Sequence, residues 1–263
     1  MIPAERQHFI IEKLTSRGIV SIAALSEELG VSQMTVRRDI EKLERGGRVM
    51  SVTGGVQLPQ RILSEPSHNV KAELRREQKV AIGRRAAEMA PRKGVVYLDA
   101  GTTTLEVAKR LIAFPDLTIV TNDFVICETV ASRSRCQLYH TGGRLDRENQ
   151  SSVGEGAALG ISRFNFDVAF ISTSSWGMRG ISTPAEDKLV VKRAAVGRAR
   201  KSVLVTDSNK YGKIGAFTSV PLGDFGVIVT DRDLPVTVRQ AISELGVEVV
   251  IADEDGPHSS TTM

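Results

Sequence analysis

The run Asp99-Ala100-Gly101-Thr102-Thr103-Thr104 carries the clearest chemistry in the chain. It leaves an apolar stretch, Val95–Leu98, and enters a helical pattern. A glycine turn with hydroxyls at a helix N-terminus offers an anion backbone N–H groups, threonine hydroxyls and the positive end of the helix dipole. An ordinary capped helix start is the alternative reading of the same residues. The turn is neither a GxGxxG fingerprint nor a Walker loop, because no Gly-Lys-Ser/Thr follows it. Other apolar runs also end on polar residues: Thr121-Asn122-Asp123, Thr141-Gly142-Gly143, Ser172-Thr173-Ser174-Ser175 and Asp207-Ser208-Asn209-Lys210. Ligands of open α/β sheets sit beyond the carboxyl ends of strands, so these ends together suit a polar anion, with Lys210 as a counter-charge. No metal or cofactor is expected. Cys127 and Cys136 have no ligand spacing to each other or to a histidine, and read as incidental thiols of a reducing compartment.

The elements that must position these groups alternate. Val95–Asp99, Leu117–Thr121, Gln137–His140, Val168–Ser172, Val203–Thr206, Val227–Thr230 and Val247–Ile251 are β-branched runs of strand length. Helical patterns at Thr104–Ile112, Phe124–Ser132, Ala185–Ala199 and Val236–Leu245 separate several of them. The fold class is therefore α/β with a mostly parallel sheet. A basic helix over Lys71–Ala90 precedes it, with Lys71, Arg75, Arg76, Lys79, Arg84 and Arg85. A solvated face and a role near DNA phosphates are equally open for it. Trp176, the only tryptophan, lines the pocket or fills the core.

A second kind of chemistry lies near the N-terminus. Helix one, Ala4–Ser16, turns Phe9, Ile10 and Leu14 inward and stops at Gly18. Ile19-Val20 makes a short strand, and Ser21 caps a helix with Ile22, Leu25 and Leu29 on one face. After the turn Gly30-Val31-Ser32, the helix Gln33–Arg45 stripes Val36, Ile40 and Leu43 on its back. Its front carries Met34, Arg38, Glu41, Lys42 and Arg45, flanked by Thr35 and Arg37. An apolar back and a basic front after a tight turn suit the major groove. Arginine bonds guanine edges or phosphates in pairs, and Ser32 and Thr35 lie where first-turn groups bind phosphate. Residues 48–52 and 56–58 form a hairpin wing around Thr53-Gly54-Gly55, with Arg48 placed for backbone phosphate. The expected DNA-binding set is Ser21, Ser32, Gln33, Met34, Thr35, Arg37, Arg38, Lys42, Arg45 and Arg48.

Composition bounds these readings. Two domains fit 263 residues, and 41% hydrophobic residues can fill their cores. No apolar run reaches the length of a membrane span, and Glu5, Arg6, Glu12 and Lys13 interrupt any signal-peptide core, so a cytoplasmic protein is expected. The net charge is +4, yet the first 58 residues hold eight Lys/Arg against seven Asp/Glu. DNA binding must therefore rest on placement. The expected limits are 1–58 for the DNA-binding domain, 59–70 for a linker, 71–252 for an effector domain and 253–263 for a disordered tail.

The run Leu25–Glu44, LSEELGVSQMTVRRDIEKLE, resembles the DNA-binding signature of the DeoR family of bacterial sugar-metabolism regulators. Its wing departs from the family pattern Arg-x-His-Gly-Gly-Ala: Ser51-Val52-Thr53-Gly54-Gly55-Val56 keeps the glycines but lacks the Arg and His. The resemblance continues through Asp99-x-Gly101-Thr102-Thr103, Thr121-Asn122, Gly142-Gly143, Glu186-x-Lys188 and Asp207-Ser208-x-Lys210. It implies a sensor domain like ribose-5-phosphate isomerase, with a phosphate pocket at Gly101–Thr104. The implied effector set is Asp99, Gly101, Thr102, Thr103, Thr104, Thr121, Asn122, Gly142, Gly143, Ser172, Lys188, Asp207 and Lys210. It implies operator DNA and a sugar-phosphate or sugar-acid phosphate effector as partners, in a homodimer or homotetramer, most simply as a repressor. Relatives often carry an acidic residue after the fourth strand, where this chain has Ser172–Ser175. Isomerisation needs a carboxylate base near the reacting carbon, and a hydroxyl run supplies none. Binding without catalysis is therefore expected, with an active isomerase carrying a DNA-binding unit as the rival.

Overall fold

The computed structural model describes residues 1–52 and 54–253. Thr53 of the wing turn and the tail expected to be disordered, from 254 on, lie outside the described residues. The N-terminal unit comprises α1 (Pro3–Arg17), α2 (Ile22–Leu29), α3 (Gln33–Arg45) and the hairpin of β1 (Met50–Val52) with β2 (Gly55–Gln57). Ser21 and Ser32 accept the backbone N–H groups of Ala24 and Thr35, capping α2 and α3 as their positions predict. Gly30 between the helices takes φ +62°, a left-handed turn that favours glycine. Ile10, Leu14, Leu25, Val36, Ile40 and Leu43 close the core. The short strand expected at Ile19-Val20 is one bridge, Val20 to Val56. It passes so close to Gly55 that a Cβ there would lie 2.4 Å from the Val20 oxygen.

Next come β3 (Gln60–Arg61), α4 (His68–Glu73) and α5 (Arg76–Ala87). The single basic helix expected over Lys71–Ala90 is thus two, broken at Leu74-Arg75. Arg75 adopts φ +54°, held by ion pairs to Asp231 (3.4 Å) and Asp233 (2.8 Å). The segment read as a linker is not free chain either. β3 pairs in parallel with a strand of the second domain, Lys213–Ile214.

The α/β domain continues through β4 (Gly94–Leu98), α6 (Thr102–Leu111), β5 (Leu117–Thr121), α7 (Phe124–Arg133), β6 (Gln137–His140), β7 (Arg144–Asp146), β8 (Ser151–Val153) and α8 (Gly154–Ser162). It ends with β9 (Val168–Ile171), β10 (Ser175–Gly177), β11 (Gly180–Thr183), α9 (Glu186–Gly197), β12 (Ser202–Val205), β13 (Lys213–Ile214), β14 (Phe217–Val220), β15 (Val227–Asp231), α10 (Val236–Glu244) and β16 (Glu248–Ala252). Seven strands form one parallel sheet in the order β16-β15-β12-β9-β4-β5-β6. These are the seven runs picked out by their β-branched residues. Apolar clusters cover both faces, as a parallel sheet requires. The unforeseen α8 holds three glycines, which weakens its helical signal. Packing against α9 supplies what propensity does not.

Candidate functional site

The strand order turns at β4 and β9, and the ends of both strands open onto one pocket. This is the switch point at which parallel sheets bind ligands. Of the expected effector residues, Asp99, Gly101, Thr102, Thr103, Asn122, Ser172, Lys188, Asp207 and Lys210 line it. Thr104, Thr121, Gly142 and Gly143 do not. The Thr104 hydroxyl lies 2.6 Å from the Asp99 oxygen and 2.7 Å from that of Gly101, closing the turn. The Thr121 hydroxyl donates to the Leu98 oxygen at 2.7 Å, tying β5 to β4. A Cβ on Gly143 would lie 2.7 Å from the Ala157 nitrogen, so that glycine serves the packing of α8.

The phosphate-like turn is held rigidly from behind. The Asn122 Oδ1 accepts the Ala100 N–H (3.0 Å) and the Tyr97 hydroxyl (2.9 Å). Asp123 accepts the N–H groups of Gly101, Val125 and Ile126, and burial raises its pKa to about 6. Gly101 leaves no room for a side chain, since a Cβ would lie 2.7 Å from the Ser172 Oγ. No side chain caps α6, and its first i→i−4 bond runs from Leu105 to Gly101. The N–H groups of Thr102, Thr103 and Thr104 therefore precede the helical ladder. Thr103 is 1% exposed and its hydroxyl has no partner among the described residues, although it lines the pocket.

Basic residues that the motifs did not mark surround this turn. Lys71, Arg75 and Lys79 come from α4, the break and α5, Lys192 from α9, and Lys213 from β13. Lys71, Arg75 and Lys79 recur every fourth residue, as do Lys188 and Lys192. That spacing is the signal that could have found them. The first three were read as solvated or DNA-facing, but the α5–α6 packing turns them inward, and Lys79 is only 4% exposed. Burial and the nearby Lys210 and Lys71 lower the Lys79 pKa to about 8.

Three carboxylates share the pocket, so the hydroxyl run after β9 does not leave it without acids. Each is engaged. Lys192 bonds Asp99 and the Ser172 oxygen (2.7 Å), and Lys210 meets Asp207 at 3.1 Å. Glu65, from the segment expected to be a linker, accepts from Lys71 at 3.1 Å and Lys188 at 3.0 Å. Burial alone would raise the Glu65 pKa, but Lys188 and Lys71 hold it at about 2. Trp176 is fully buried outside the pocket lining, edge-on to Tyr211 at 5.0 Å. Core packing is its role.

In the N-terminal unit, Met34, Arg38, Lys42 and Arg48 are exposed outside the groove that separates the winged helix from α10. Ser21, Gln33, Arg37 and Arg45 are exposed along that groove, Ser32 is exposed at its cap and Thr35 is half-buried. Glu44, at the end of α3, was not singled out. It is buried and accepts the Ser51 N–H (2.6 Å), the Ser51 hydroxyl (2.8 Å) and the Tyr211 hydroxyl (2.9 Å).

A winged helix-turn-helix joined to an α/β domain defines a class, the two-domain DNA-binding regulator. Comparison with known proteins narrows it. Residues 6–61 match the DeoR-like helix-turn-helix domain and residues 74–232 the DeoR C terminal sensor domain. The chain belongs to the DeoR family of transcriptional regulators. It is 48% identical over 97% of its length to the whole of an uncharacterised HTH-type regulator, YgbI, of Escherichia coli K12. It is 47% identical over 95% of its length to 98% of an uncharacterised HTH-type regulator of Haemophilus influenzae. The glycerol-3-phosphate regulon repressor of Escherichia coli K12 is 29% identical over 93% of this chain and 97% of its own. A ribose 5-phosphate isomerase structure from Methanocaldococcus jannaschii aligns with 51% of this chain and 53% of its own at 12% identity, with a TM-score of 0.38. Among the described residues, no helix is long and apolar enough to cross a membrane, and no cluster of His, Cys, Asp and Glu could hold a metal ion.

Proposed function

We propose that this regulator represses a carbohydrate-utilisation operon and is released by a phosphorylated sugar or sugar-acid effector bound in the basic pocket. One observation carries the reading. The uncapped start of α6, with the buried unpartnered Thr103 hydroxyl, faces the same pocket as a group of lysines. Helix-start N–H groups, a free hydroxyl and ammonium groups are the donor set of a phosphate site.

On the DNA side, Arg38 and Lys42 supply donors for guanine edges or phosphates. Met34, 61% exposed on the same helix, supplies an apolar contact suited to a thymine methyl. Two copies reading two half-sites is the assembly this binding mode favours. The pocket acids are all engaged by lysines, and a carboxylate held at a pKa of about 2 is a poor general base. Binding without turnover follows from that reading.

The test is a titration of purified protein onto upstream DNA of its own and neighbouring operons, at two salt concentrations, with and without a panel of sugar phosphates. Specific binding that weakens with salt and is released by one compound supports the reading. Binding indifferent to every compound removes the effector. Turnover of a sugar phosphate without specific DNA binding favours the isomerase.

A further inference from the structure

The regulator described above needs a route from its pocket to its DNA-binding helix, and one short segment lies between them. Asn209, Lys210 and Lys213 line the pocket. The two residues between Lys210 and Lys213 contact the winged helix. Tyr211 donates its hydroxyl to the buried Glu44 at the end of α3 (2.9 Å). Gly212 lies so close to Met50, the first residue of the wing strand β1, that a Cβ would overlap the Met50 side chain. The Gly212 oxygen accepts the Gln60 N–H at 2.9 Å, and the Ile214 oxygen accepts that of Ile62 at 2.9 Å. The chain leaving the wing is thus zipped to the same segment.

Its other neighbours adjoin the pocket wall. Trp176 packs edge-on against Tyr211 and its backbone oxygen accepts the Gly212 N–H at 2.8 Å, and it lies two residues beyond Ser174, which lines the pocket. Lys210 is held at its inner end by Asp207 (3.1 Å), across a single turn of 3-10 helix. An anion entering the pocket competes with Asp207 for the Lys210 ammonium, because both are acceptors for one group of donors.

We propose that residues 209–213 transmit effector occupancy to the recognition helix, with Tyr211 as the positioning residue that reports to Glu44. This rests on the effector reading and names its regulation. Withdrawal of the Lys210 side from Asp207 draws Tyr211 from Glu44. That leaves a buried carboxylate with fewer donors and shifts the end of α3 and the wing together. A ligand changes operator affinity only as far as it binds the two arrangements unequally, so removing the contact must shrink that difference.

The experiment uses the full chain as wild type, Tyr211→Phe and Glu44→Gln. Glycerol 3-phosphate, ribose 5-phosphate, glucose 6-phosphate and 6-phosphogluconate are the probes. Calorimetry gives each probe's affinity without DNA, and anisotropy gives operator affinity with and without it. Emission of Trp176, the only tryptophan, reports on the segment itself. The expected result for Tyr211→Phe is probe affinity within about threefold of wild type, with the ratio of operator affinities without and with probe cut by roughly tenfold. Trp176 emission shifts when the probe binds wild type. A variant that releases DNA as wild type does, or a probe that binds and releases wild type with Trp176 silent, overturns the proposal while the effector reading stands. If no probe binds wild type, the effector reading falls and this inference with it.

Discussion

The carboxylate of Glu65 and the ammonium of Lys188 meet at 3.0 Å in the lining of the pocket, joining the connector that leaves the wing to the first turn of α9. Lys71 reaches the same oxygen at 3.1 Å. One carboxylate thus binds the connector, α4 and α9 into one wall.

That wall titrates. Burial opposes the charge on Glu65, but Lys188 and Lys71 outweigh it and hold the pKa at about 2 against an unfolded value of 4.5. A depressed acid contributes stability that is present above the unfolded pKa and lost as pH falls toward the folded one. The contribution is about 3 kcal/mol at neutral pH. Chemical denaturation of Glu65→Gln from pH 7 to pH 3 should show a lower plateau and a shallower loss between pH 4.5 and 3. Identical profiles for variant and wild type would sink the assignment.

Lys79 should govern anion binding above neutrality. Its pKa is lowered to about 8, first by burial and then by Lys210, so its charge is lost as pH rises through that value. Affinity for an effective sugar phosphate should fall across pH 7 to 9, and a bound anion should move the midpoint upward. Lys79→Met should weaken binding by tenfold or more, the order of one charge-assisted hydrogen bond, and remove the pH dependence. Calorimetry at three pH values decides it, with an unchanged slope in Lys79→Met as the contrary result.

Asp99 and Lys192 form a buried pair below the phosphate-like turn. Lys192→Met leaves a buried carboxylate with, among the described residues, only the N–H and hydroxyl of Ser172 as partners, at 3.0 and 3.2 Å. Breaking such a pair costs about 3–5 kcal/mol. Adding Asp99→Asn should recover most of that loss, because the stranded charge is gone. A double variant no more stable than the single one in thermal unfolding would contradict this account.

Arg38 is exposed, and its guanidinium makes no hydrogen bond or ion pair among the described residues. Arg38→Ala should weaken operator binding by about 1–3 kcal/mol, roughly five- to 150-fold, and leave effector affinity unchanged. If the contact is to phosphate, the salt slope should also fall by about one. Anisotropy at several salt concentrations separates the cases, and unaltered operator affinity would remove Arg38 from the interface.

The sequence by itself determined the local structure of this protein. The caps at Ser21 and Ser32, the stripe of Val36, Ile40 and Leu43, and the seven β-branched runs depend on residues close in the chain, where propensity and periodicity act. The Asp99–Thr103 turn was legible for the same reason. Tertiary structure alone decided what those elements enclose. Lys71, Arg75 and Lys79 read equally as a solvated or a DNA-facing basic face until the break at Arg75 and the packing of α5 on α6 place them in the pocket lining. Glu65 looks like linker until β3 pairs with β13. Tyr211 and Glu44 carry no local signal, since a hydrogen bond across 167 residues exists only once the two domains pack. Burial shifts Lys79 and Asp123, and the lysines gathered around Glu65 hold its charge against burial; both are properties of the assembled fold.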